Sequence, residues 1–220
     1  SKKVIINIDK PVDWTSFDVV KKIRNVTKHK KVGHGGTLDP FATGVLIIGT
    51  EKDTKQLSSI TNFDKEYIAE LKLGEATNTL DTEGELVEES PVPTIDEGLL
   101  NNVLKSFLGK QKQIPPMFSA KKKNGTRLYK LARKNIEVER EKNDIMINSI
   151  YINDFSEDKI NFSVNCSKGT YIRVLGADIA KKIGTVGYLV NLRRTKVGDF
   201  DVTESLTLEK FISSWKSITV

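Results

Sequence analysis

The sequence predicts an α+β fold built on a mixed, largely antiparallel central sheet flanked by helices. Three observations carry this. Short alternating or wholly apolar runs, the mark of strands, recur from Val4 to Val202. Segments with helical apolar spacing are scattered among them, without the regular strand–helix–strand rhythm of a parallel sheet. No internal repeat, low-complexity tract or linker divides the 220 residues, so residues 1–220 are expected to form one domain.

Taken in order, Val4–Ile8 (VIINI) is a short apolar run, expected as a buried strand. TSFDVVKKIRNVTK then reads as a helix that Thr15 or Ser16 can cap, with Val19, Val20, Ile23 and Val26 on one stripe. A glycine-rich loop leads into a strand at Val45–Gly49. Lys65–Gly74 alternates, with Tyr67, Ala69, Leu71 and Leu73 on one side of a strand. After an acidic, turn-rich section, Thr94–Glu97 has the form of a capping box opening a helix to about Leu108. Pro115 and Pro116 keep the next segment extended, and helical character returns near Arg127–Lys134. DIMINSIYI and KINFSVNCS are strand-like. GTYIRVLGADIAKKIG reads as a helix with Thr170 as cap, Ile172, Leu175 and Ile179 inward, and Gly184 as stop. A last strand, NLRRTKVGDFDV, precedes a short C-terminal helix, TLEKFISSW.

Composition narrows the function classes. The 38% hydrophobic fraction supplies a core, and no apolar run approaches the roughly 18–20 residues that cross a bilayer. The N-terminus lacks the apolar stretch of a signal peptide. A single cysteine, Cys166, rules out an internal disulfide and suits a reducing compartment, so a cytoplasmic location is expected. With one Cys and two His (His29 and His34), the usual zinc sets cannot be assembled, and no metal is expected. The net charge of +6 is a modest argument for a polyanionic partner. Basic residues crowd Lys21–Lys31, Lys110–Lys134 and Arg193–Lys196, whereas acidic residues gather in Glu75–Glu97, so one face is expected to meet phosphates.

The stretch KVGHGGTLDPFATGVLIIGT sets a lone carboxylate, Asp39, among glycines and threonines. Alone it admits three readings. Asp39 before Pro40 can start a structural turn. Backbone amides can cradle a phosphate, although the P-loop spacing is absent. A carboxylate without a metal can act as nucleophile or general base. On the loop alone, structure is the favoured reading.

Further blocks change that balance. DKPVDWTSFDVVKKIR (Asp9–Arg24), KEYIAELKLGEATNTLDTEG (Lys65–Gly84), IPPMFSAKKKNGTRLYKLAR (Ile114–Arg133), CSKGTYIRVLGADIAKKIG and LRRTKVGDF follow in order over Lys10–Phe200. Together with the Asp39 stretch they resemble the motifs of the TruB family of pseudouridine synthases, the tRNA pseudouridine-55 synthases. The resemblance implies the pseudouridine synthase fold and isomerisation of a T-loop uridine in tRNA without a cofactor. It implies Asp39 as the catalytic carboxylate and Arg173 as the family's arginine, a group able to hold a carboxylate ionised. Tyr67 matches the tyrosine that stacks on the target base and assists proton movement. Tyr171 and Leu192 match positions lining the uridine pocket, and His34 the histidine that fills the space left by the flipped base. Asp81, in Thr-x-Thr-x-Asp, is expected to position groups near that pocket.

Residues 105–135 correspond to an insertion that grips RNA in bacterial members, so Lys121, Lys122, Lys123 and Arg127, with Arg193 elsewhere, are expected backbone contacts. KKKNG can equally be a solvated turn. The chain departs from the family in two ways. Asp13 stands where glycine is usual, and no PUA-type C-terminal domain is expected before Val220. The expected partner is the tRNA T-arm, with no membrane and no obligate protein partner. The alternatives are a guide-RNA-dependent synthase and a tRNA-folding chaperone.

Overall fold

Residues 5–218 are described by the structure, a computed structural model. In chain order the elements begin with β1 (Ile5–Lys10), α1 (Ser16–Thr27), β2 (Val32–His34) and β3 (Thr43–Thr50). A 3-10 helix (Glu51–Gln56), α2 (Leu57–Thr61) and β4 (Lys65–Leu73) follow. Next come β5 (Glu75–Thr77), β6 (Leu86–Glu89), α3 (Glu97–Lys105), β7 (Gly109–Gln113), β8 (Lys122–Lys123), β9 (Thr126–Arg127) and α4 (Leu128–Ala132). The chain closes with β10 (Asn143–Phe155), β11 (Lys159–Cys166), α5 (Ile172–Ile183), β12 (Gly187–Val197), β13 (Phe200–Asp201) and α6 (Leu208–Ile218). The α+β class and its largely antiparallel pairing match the expectation. No helix among the described residues is long and apolar enough to cross a membrane.

The chain forms two compact units, Ser1–Ile68 with Leu192–Val220, and Ala69–Asn191. In the first, β3 is the organising strand. It pairs antiparallel with β1 and β2, and parallel with β12 at Arg193↔Thr43 and Arg194↔Gly44. Seven of its eight residues are buried because both faces are covered. Leu46 and Ile48 pack with Ile6, Ile8, Val19, Ile23 and Phe211. Val45 and Ile47 pack with Leu57, Ile60 and Val197 on the other face. Helix α1 starts at a full capping box: Asp18 N–H donates to Thr15 Oγ1 and Thr15 N–H to Asp18 Oδ2, both at 2.9 Å. Val19, Val20 and Ile23 are buried as expected, and Val26 is half-buried.

In the second unit, β10 pairs antiparallel with β11 and with β7. On α5, the expected inward residues Ile172, Leu175 and Ile179 are buried, and Gly184 ends the helix at φ 102°.

Several expectations are corrected. Val4 lies outside the described residues. The helix expected from Thr94 begins instead at Glu97, because the Asp96 side chain accepts from Leu99 N–H at 2.7 Å, and it ends at Lys105. Thr170 does not cap α5. Its hydroxyl donates to Ser167 O at 2.8 Å, and Tyr171 is the cap residue. The last expected strand is split by a turn at Gly198 and Asp199 into β12 and β13. The turn reading of KKKNG holds: exposed Asn124 (φ 48°) and Gly125 (φ 80°) join β8 to β9 in a two-residue hairpin, the left-handed pair that suits one.

Gly44 is the tightest backbone approach in the first unit. At φ 109° a Cβ there would lie 2.1 Å from the Arg194 carbonyl oxygen. Gly44→Ala is therefore expected to cost about 3 kcal/mol or more in urea unfolding, from strain and lost β3–β12 pairing. A loss below about 1 kcal/mol would contradict this packing.

Candidate active site

The loop between β2 and β3 has few side chains to bury, so its shape must come from backbone contacts. Two buried cations supply them. Lys10, fully buried at the end of β1, donates through Nζ to Pro11 O (2.7 Å), Trp14 O (2.6 Å) and Pro40 O (3.1 Å). Pro40 O also accepts from Asp13 N–H at 2.8 Å. Arg194, only 1% exposed, donates from Nε to Val45 O (2.8 Å), from Nη1 to Thr37 O (3.2 Å) and from Nη2 to Gly36 O (3.1 Å). Ser16 Oγ accepts from Leu38 N–H at 2.9 Å and donates to Leu38 O at 3.1 Å. Ala42 N–H closes a turn onto Asp39 O at 3.0 Å. Asp39 is thus flanked on both sides by residues whose carbonyls are held by buried donors.

This gives the first motif a physical role. Lys10, Asp13 and Ser16 all contact the Asp39 loop, and Asp13 adopts the left-handed conformation (φ 65°) that brings its N–H to Pro40. Aspartate tolerates that region better than most residues, which is why it can stand where glycine is usual.

Other expected site residues of this unit are placed as follows. Tyr67 is buried on the inward row of β4, and Leu192 is buried on β12. His34 is half-buried at the end of β2, and its Nδ1 has no hydrogen-bond partner among the described residues. Burial, then the Arg194 charge, push His34 below the usual histidine range, against an opposing backbone hydrogen bond with Gly36. The ring is therefore neutral at physiological pH. Arg193, expected at RNA backbone, forms a bidentate pair with Asp9 (3.1 and 2.9 Å) and donates to Thr43 Oγ1 at 3.1 Å.

In the second unit Arg173 is 3% exposed. Nη1 donates to Thr79 O at 2.9 Å, Nη2 donates to Phe118 O at 2.8 Å, and Nε lies 4.0 Å from Asp81 Oδ2. Asp81 is also buried. Its Oδ1 accepts from Thr79 Oγ1 (2.6 Å) and Glu83 N–H (2.9 Å), while Thr77 Oγ1 donates to Asp81 O at 2.7 Å. The Thr-x-Thr-x-Asp segment is thus a buried seat for the arginine. Tyr171 is held by buried Gln113: Tyr171 N–H donates to Oε1 at 2.8 Å, and Nε2 donates to Tyr171 O at 3.0 Å. Lys121 Nζ donates to Asn143 Oδ1, Lys123 Nζ to Glu139 O and Arg127 Nη1 to Ala120 O, while Lys122 is exposed. Among the described residues, no three His, Cys, Asp or Glu side chains are grouped to hold a metal ion.

Sequence reasoning missed Lys10, Ser16, Gln113 and Arg194. Only Arg194 left a usable signal, since it shares the inward parity of Leu192 on β12.

Residues 24–172 match the family model described as TruB family pseudouridylate synthase (N terminal domain). The chain is 46% identical over 93% of its length to "tRNA pseudouridine synthase B" of Psychrobacter cryohalolentis, covering 58% of that protein. It is 49% identical over 93% of its length to the protein of that name from Clostridium tetani, covering 71% of it. It thus spans little more than half the length of the Psychrobacter relatives. Among solved structures, a chain in a Cbf5-Nop10-Gar1 complex matches 98% of this chain with a TM-score of 0.77 and 28% identity, over 56% of its own length.

Two outcomes follow. In an NMR titration, His34 is expected to have a midpoint below 6.5. The fold then loses stability as pH falls from the unfolded-state value through that midpoint. A midpoint at or above 6.5 would contradict the geometry. Arg194→Lys, which keeps the charge but not the fork of donors, should destabilise by about 2–4 kcal/mol in denaturant unfolding. A neutral result would mean the three carbonyl bonds do not hold the loop.

Proposed function

We propose that this chain, which belongs to the TruB family of pseudouridylate synthases, isomerises a T-loop uridine of tRNA, position 55, to pseudouridine. The observation that carries the reading is the Asp39 loop, a carboxylate in a segment fixed by buried donors within the family's ordered motifs. The 46% and 49% identity to proteins named for this tRNA reaction supports the substrate class.

The chemistry balances within the substrate: C1′–N1 breaks, C1′–C5 forms, C5 loses a proton and N1 gains one. Ionised Asp39 is the reactive group, able to attack base or sugar or to take a proton from the sugar. The uridine must first leave its stack, at a cost of a few kcal/mol. His34 is proposed to enter the vacated space, and its neutral, planar ring suits stacking between bases. Tyr67, Tyr171 and Leu192 line the uridine pocket in this reading, with Tyr67 also assisting proton movement. Arg173 acts as the family's arginine, and Asp81 is a positioning residue that seats it. Lys121, Lys122, Lys123 and Arg127 are proposed to hold RNA backbone, with Arg193, which donates to Thr43 Oγ1, as a further proposed contact. The likeness to the Cbf5 complex, at 28% identity, supports the shared fold more than a guide-RNA mechanism.

The test is tritium release from C5-labelled uridine in an unmodified T-arm hairpin. Release is expected from the unaltered chain, and Asp39→Asn should reduce it by at least about 10⁴-fold while still binding the hairpin. Persistent release would remove Asp39 from the reaction. Binding without release from the unaltered chain would favour an RNA-folding role.

A further inference from the structure

The Lys28–Lys31 loop (KHKK), which joins α1 to β2, is the basic feature that the roles above leave unused. Lys28, Lys30 and Lys31 are exposed. Among the described residues no carboxylate lies within ion-pair distance of their amino groups. Three unpaired lysines in four residues are ordinarily slack, but this loop is pinned at both ends.

Lys28 closes α1 in the left-handed conformation (φ 59°), its N–H donating to Arg24 O at 2.9 Å. From the other side, Glu51 N–H donates to Lys31 O at 2.9 Å. Glu51 Oε1 accepts from Lys30 N–H at 2.7 Å and Lys31 N–H at 3.3 Å, and lies 3.5 Å from His29 Nδ1. His29 in turn stands edge-on to Trp215 of α6, with ring centroids 5.6 Å apart. Glu51 itself is held at φ 48°, which a residue with a Cβ adopts only when its surroundings require it. The Lys31 N–H bond is the main cause that keeps its carboxyl below the usual range, so it is ionised at neutral pH.

A carboxylate amid lysines weakens attraction for a polyanion, so charge alone does not explain Glu51. Its bonds do: they fix the backbone from which the lysines project. From Lys31, β2 (Val32–His34) carries the chain to His34, roughly 10 Å away, about three base steps of a nucleic-acid strand. Phosphates close to a base displaced at His34 are within reach.

We propose that Lys28, Lys30 and Lys31 form a phosphate-binding loop for the RNA backbone beside the flipped uridine, and that Glu51 is its positioning residue. This rests on the function proposed above and names a contact surface for it. The contact is to phosphate, so it steers and registers the RNA without reading sequence.

The test is T-arm hairpin affinity at several salt concentrations, by fluorescence anisotropy, in the Asp39→Asn background. Lys30→Gln with Lys31→Gln should flatten the slope of log K against log salt by about 1.5, while Lys182→Gln, at an exposed position near the end of α5, leaves it unchanged. Glu51→Ala removes a negative charge, yet it should weaken binding by about threefold or more, because the loop loses its preorganisation. Circular dichroism checks that each variant is folded. Equal or tighter binding by folded Glu51→Ala would overturn the proposal, as would a slope for the double variant matching Lys182→Gln. Competition by polyglutamate as effective as RNA, lost in the double variant, would assign the loop to an acidic protein instead. If the parent binds no hairpin, the tRNA reading fails as well; if it binds and only these effects are missing, the loop assignment fails alone.

Discussion

Carbonyl oxygens of the Asp39 loop face donors that never reach water: Lys10 Nζ at Pro40 and the Arg194 guanidinium at Gly36 and Thr37. The surrounding structure depends on this arrangement. Burying an ammonium or guanidinium costs several kcal/mol per ion. Three charge-assisted bonds, at about 1.5–3 kcal/mol each, offset that cost without a large surplus. The cations therefore add little net stability. They add position, because any shift of the loop leaves a buried charge short of an acceptor. Gly44 belongs to the same device, since only a residue without Cβ lets β3 come this close to the Arg194 backbone.

The second unit applies similar logic with a carboxylate included. Arg173 is buried between two carbonyls and Asp81, and Asp81 is itself fixed by Thr79 and Glu83 N–H. Gln113 does the same without charge for the Tyr171 backbone. In each case a side chain expected at the site stands on a partner that has no chemistry of its own. The segments between elements thereby acquire the rigidity that strands and helices obtain from their ladders.

Much of this was legible in the residues. The alternation of Lys65–Leu73, the capped stripe of α1 and the apolar run of β3 all appear where the pattern places them, because burial on one or both faces dictates those patterns. The failures are local and chemical. Thr94 and Asp96 both offer a cap, and which one is used depends on where the backbone turns, not on composition. Arg194 was counted in a basic cluster with Arg193, although neighbours on a strand point to opposite faces. One pairs with Asp9 and the other is buried. Strand parity turns Arg194 inward, but the sequence does not name its carbonyl partners, because they are backbone atoms that every residue possesses.

If the Asp39 loop is held by its own buried donors, its amides must resist solvent in the protein alone. Amide hydrogen exchange at Leu38 and Ala42, which donate to Ser16 Oγ and Asp39 O, tests this most directly. Protection approaching that of the β3 amides is predicted for both. Exchange at the rate of an open loop would show that the Asp39 segment is not preorganised, and that the buried cations do not set its position.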